Sequence, residues 1–126
     1  MASTTGTSIF KTRPDRAVTV YAQRAREATR PGAHWNQPHD AAVKVLAQGM
    51  IDLGLVKGSL DAVLDNGDYR RFYMHRTGHW LGMDVHDAGE YRPRPGSAGA
   101  GEQDWRTLEA GMVLTVEPGC YVRPAD

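Results

Sequence analysis

One cysteine stands among 126 residues, so no disulfide can form within the chain. A lone Cys120 suits a reducing compartment. Long apolar runs are missing as well. Nothing approaches the roughly 20 residues that a membrane-crossing helix needs, so no membrane partner is expected. There is no excess of charge of either sign, because fifteen basic residues balance fifteen acidic ones. That balance removes any general attraction to nucleic acid or to anionic surfaces, and a partner has to be recognised locally. No internal repeat is visible. What is present is 40% hydrophobic and 24% charged residues, a globular mix in a length that buries one core.

The N-terminal segment, Met1 to Arg16, is rich in Ser and Thr and carries Lys11, Arg13 and Arg16 against Asp15. It lacks the amphipathic pattern of a targeting helix. Residues 1–17 therefore read as a disordered leader, and a cytoplasmic protein is expected. From about Arg16 to Arg30, Val20, Tyr21, Ala25 and Ala28 form an apolar stripe, and Pro31-Gly32 ends the helix. Ala42, Val45, Leu46, Gly49, Met50 and Leu53 fall at steps of three and four, one face of a second helix. Asn36 is a candidate cap, Pro38 is tolerated in the first turn, and Gly54 suits the position past the end. Ser59 is a candidate cap for a short helix over 60–64, closed by Asn66-Gly67. Beyond Tyr69 the texture turns to short strands and loops. Arg92 to Asp104 reads as a surface loop, and Met112 to Val116 as a strand with Val113, Thr115 and Glu117 on its second face.

Three histidines crowd into Met74-His75-Arg76-Thr77-Gly78-His79-Trp80-Leu81-Gly82-Met83-Asp84-Val85-His86-Asp87. A zinc-protease helix would need a Glu after the first His, and Gly78 and Gly82 oppose a helix here. In an extended segment His75 and His79 share a face, and only a turn brings His86 to them. One such histidine is most often structural; three within twelve residues point to a site. His34 and His39 stand outside the cluster and read as structural or solvated. Glu117 ends an apolar strand before Pro118-Gly119, where a buried carboxylate needs a partner, an arginine or a metal ion. His and carboxylate together suit Mn²⁺, Zn²⁺ or Co²⁺. The run Gly96-Ser97-Ala98-Gly99-Ala100-Gly101 lacks the order and context of a phosphate-binding loop.

The stretch from Phe72 to Asp87, followed by Gly111-Met112-Val113-Leu114-Thr115-Val116-Glu117-Pro118-Gly119, closely resembles the Xaa-Pro aminopeptidases (aminopeptidase P). The likeness runs from about Val18 to Pro124, and prolidase shares either motif alone. It implies an α+β pita-bread fold, as in creatinase and methionine aminopeptidase. It also implies a site of two metal ions, usually Mn²⁺, held by two Asp, one His and two Glu. By motif, His79 matches the ligand histidine and Glu117 the first ligand glutamate. His75 and His86 match the histidines that contact substrate and stabilise the tetrahedral intermediate. Trp80 and Tyr121 fit either pocket walls or core residues.

The two Asp ligands are expected upstream of Val18, where only Asp15 occurs, and the last Glu in an Arg-x-Glu context that is not found. Residues 18–126 are accordingly expected to be an incomplete catalytic domain. The leading expectation is an aminopeptidase that releases the N-terminal residue from peptides with proline second. A prolidase-like dipeptidase and a non-catalytic interaction module keeping half the fold are the alternatives, and a homo-oligomer is left open.

Overall fold

The computed structural model describes residues 14–93, 105–117 and 119–126, with side chains from Thr19 onward. Most of the expected leader, the Arg92–Asp104 loop beyond residue 93 and the Gly96–Gly101 run lie outside the described residues. The described residues begin with α1 (Pro14–Ala28), followed by α2 (Gln37–Asp52), α3 (Leu60–Asn66) and a 3-10 turn at Asp68–Arg71. Among the described residues no helix is long and apolar enough to cross a membrane.

Tyr21 and Ala25 of α1 are fully buried, one turn apart on the face turned to α2. On α2 the buried set is Ala42, Val43, Leu46, Ala47, Gly49 and Met50. This face is rotated from the expected one: Val45 is only partly buried and Leu53 is 41% exposed, because α1 packs across the 43/47 side. Asn36 sits at the N-terminal boundary of α2 but makes no side-chain cap bond. Its amide donates to Asp40 and its oxygen accepts from Arg76, so the side chain is spent elsewhere. The third helix behaves as expected. Ser59 accepts from the Ala62 amide, and Gly67 closes the helix at φ +73°, a left-handed value that favours glycine.

Two apolar clusters result. The larger joins Tyr21, Ala42, Val43, Leu46, Met50, Val63, Phe72 and Tyr73. The smaller gathers Trp35, Trp80 and Leu108 with Ala33, flanked by Trp105, Met112 and Leu114. Among the described residues the backbone pairs in antiparallel fashion beside the smaller cluster, at His34 with Thr107 and at Trp80 with Leu114. The second pairing continues through Leu81 N–H to Val113 O, Thr115 N–H to His79 O and Glu117 N–H to Thr77 O. Residues 77–81 thus run against 113–117 in one register, while Met112, Leu114 and Val116 point inward as period two requires.

Met50 is 2% exposed and central to the larger cluster. Met50→Ala is expected to cost about 2–5 kcal/mol through lost burial and a residual cavity, measured by urea denaturation.

Candidate functional site

The pairing of 77–81 with 113–117 sets which side chains share a face. His79 and Thr115 oppose each other, and Glu117 stands diagonally two residues on, within reach on the same face. Gly78 makes the close approach possible: a Cβ there would lie 1.9 Å from the Thr115 carbonyl oxygen. Without that Cβ, the Thr115 hydroxyl reaches the His79 amide, accepting at 3.1 Å, and donates its own proton to Glu117 Oε1 at 3.0 Å.

The His79 ring is oriented by its neighbours. Nδ1 lies 2.7 Å from the Trp80 carbonyl oxygen, which only accepts, so Nδ1 carries the proton. Nε2 then meets Glu117 Oε1 at 2.6 Å. In the neutral ring that nitrogen offers a lone pair toward a carboxylate, an arrangement that needs a proton shared between them or a cation that faces both. Glu117 is held below its usual carboxylate range, first by the Thr115 hydrogen bond and further by the nearby His79. Its side chain is 49% exposed, so the cost of burial argued from the sequence does not arise.

His86 joins from a closed loop. The Asp87 amide returns to the Trp80 carbonyl at 3.1 Å, and a Cβ on Gly82 would sit 1.8 Å from Asp87 Oδ2. This turn lays the His86 ring over His79, with centroids 4.1 Å apart. His75 is arranged differently. Its Nδ1 donates to the Arg76 carbonyl at 2.7 Å and its Nε2 lies 3.0 Å from the Tyr121 hydroxyl, so both nitrogens are engaged. Tyr121 is 49% exposed, whereas Trp80 is 7% exposed and packs with Trp35 in the smaller cluster as a core residue.

The structure therefore brings His79, His86, Glu117 and Thr115 together, with His75 and Tyr121 as a separate pair. Among the described residues no group of three or more His, Cys, Asp or Glu is placed to hold a metal ion. His79 and Glu117 fit such an ion as two converging donors. Thr115, placed by the sequence on the same period-two face as Glu117, was given no role in the site there. His39, read there as structural or solvated, bonds into the interior: its Nδ1 lies 2.9 Å from the Thr77 hydroxyl. Burial first, then the charges of Arg76 and Arg70, lower its pKa from 6.5 to about 4.

Comparison with known proteins shows the family. Metallopeptidase family M24 matches residues 11–126. The Xaa-Pro aminopeptidase of Haemophilus influenzae is 45% identical over 100 residues, covering 79% of this chain and 21% of the relative. Its Escherichia coli counterpart is 41% identical over 95 residues, covering 75% of this chain and 20% of the relative. The chain thus spans about a fifth of the curated relatives it matches. Among solved structures, the Pseudomonas aeruginosa aminopeptidase PepP superposes with a TM-score of 0.77 at 47% identity, over 86% of this chain and 23% of that one. Zn-substituted E. coli aminopeptidase P in complex with product gives 0.74 at 37% identity, with the same coverage. The helices and paired segments described above are accordingly part of the α+β pita-bread fold.

Because the folded state disfavours the charged His39, its contribution to stability is intact above pH 6.5 and is lost as the pH falls toward 4. Unfolding free energy should drop across that window. His39→Gln should flatten the drop, measured by urea titrations from pH 7 to pH 4 on both proteins.

Proposed function

The chain belongs to metallopeptidase family M24, and from that premise we propose that it carries part of the active site of a metal-dependent Xaa-Pro aminopeptidase. The observation that carries the reading is the convergence of His79 Nε2 and the Glu117 carboxylate at 2.6 Å. Relatives similar in sequence are Xaa-Pro aminopeptidases, and one neighbouring structure is a zinc-substituted aminopeptidase P.

On this reading His79 and Glu117 hold a divalent cation, Mn²⁺ foremost, with Zn²⁺ or Co²⁺ as alternatives. Such an ion, when bound, supplies Lewis-acid polarisation of the scissile carbonyl and a lowered pKa for water. His79 contributes a fixed tautomer, since its Nδ1 proton is committed to the Trp80 carbonyl. Thr115 keeps the carboxylate ionised and aimed at His79. His86, exposed beside His79, is placed to donate to the developing oxyanion, where one donor is commonly worth about 10²–10³ in rate. His75, which meets the Tyr121 hydroxyl at 3.0 Å, is on this reading a second histidine that contacts substrate. The substrate is a peptide with proline second, and the activity needs donors beyond this pair, since two cannot fix a dinuclear site.

Titrating Mn²⁺ into the 126-residue chain should broaden the NMR signals of His79 and Glu117 before those of His34 or His39. His79→Ala should abolish the preference. Broadening spread evenly over all histidines would remove the reading. With Mn²⁺ and an Xaa-Pro tripeptide, turnover by the isolated chain is expected at background, and robust turnover would overturn the need for further donors.

A further inference from the structure

Behind the candidate ligand pair runs a line of interior hydrogen bonds that the proposed chemistry does not use. The Tyr21 hydroxyl lies 3.0 Å from the Glu117 backbone carbonyl and 2.7 Å from the Tyr73 hydroxyl. The Tyr73 hydroxyl lies 2.7 Å from Thr77 Oγ1, and that oxygen 2.9 Å from His39 Nδ1. Tyr21, Tyr73 and Thr77 are 0%, 1% and 3% exposed, so water does not compete for these groups.

The direction of the line follows from its end. A carbonyl only accepts, so Tyr21 spends its single proton on Glu117. Tyr73 must then donate to Tyr21, Thr77 to Tyr73, and His39 Nδ1–H to Thr77. Every link has one donor, and reversing any of them leaves two protons facing each other. Burial pushes both phenols up and His39 down, which keeps all the members neutral and the order unscrambled.

We propose that His39, Thr77, Tyr73 and Tyr21 form a one-way hydrogen-bond relay that positions Glu117 beside His79. The inference rests on the reading of that pair as the metal site, and it concerns positioning residues, since none of the four touches substrate. Thr77 acts at both ends. Its hydroxyl feeds the relay, and its carbonyl accepts the Glu117 amide at 2.6 Å. The backbone of Glu117 is thereby held at both its N–H and its C=O.

The test uses the full chain without metal. In the wild type, nitrogen NMR should find His39 in the Nδ1–H tautomer. Tyr21→Phe and Thr77→Val, which keep the packing and remove one hydroxyl, should each shift the Glu117 carboxylate carbon and the His79 ring nitrogens. Thr77→Val should also release His39 into a mixture of tautomers, and Thr77→Ser should restore the wild-type signals. An Nε2–H tautomer in the wild type would overturn the relay even if no variant folds. So would unshifted Glu117 and His79 signals in a folded Tyr21→Phe protein. If the shifts occur while Mn²⁺ fails to broaden the pair, the positioning stands and the reading of His79 and Glu117 as metal donors falls.

Discussion

The antiparallel run of residues 77–81 against 113–117 fixes nearly everything else about the site. Its register puts His79 opposite Thr115 and leaves Glu117 on the same face. A hydroxyl then bridges the two candidate donors, and a histidine nitrogen meets a carboxylate oxygen at 2.6 Å. The approach depends on Gly78, because any side chain there would meet the Thr115 carbonyl. Hydrogen bonds of this kind are worth roughly 0.5–1.5 kcal/mol each when formed. Their value here lies in direction more than in energy.

The two apolar clusters hold this run from opposite ends. Val116 packs on the larger cluster and Leu114 on the smaller, so the inward face of one short segment touches both. The outward face carries Thr115 and Glu117. Tyr73 belongs to the larger cluster by its ring and to the polar line by its hydroxyl, edge-on to Tyr21 with centroids 5.7 Å apart. Packing and polar positioning therefore share the same side chains. A loss of volume in the larger cluster reaches Glu117 through them.

Much of this was legible in the residues. The stripes of α1 and α2, the Ser59 cap and the Gly67 stop follow from spacing and from local chemistry. The grouping of His79 with Glu117 came from motif resemblance. Periodicity could not supply it, because the two lie 38 positions apart in the chain and only the pairing register brings them together. The rotation of the α2 face was hidden because both faces contain apolar residues, and only the docking of α1 chooses between them. His39 was opaque for a related reason. A histidine in a helix's first turn reads as solvated until a buried threonine hydroxyl is found 2.9 Å from it. The turn that stacks His86 on His79 could be required from parity, but its closure through Gly82 and Asp87 could not be read from spacing.

The register also says where this chain can change length. A single inserted or deleted residue within 77–81 or 113–117 would turn His79 or Glu117 to the inward face and separate them entirely, since side chains alternate with a period of two. The connection between the two segments lies outside both of them, so its length does not set their register. Lengthening it costs only the slow logarithmic growth of loop entropy. Variation in length among close relatives should therefore collect in that connection and stop sharply at its two ends.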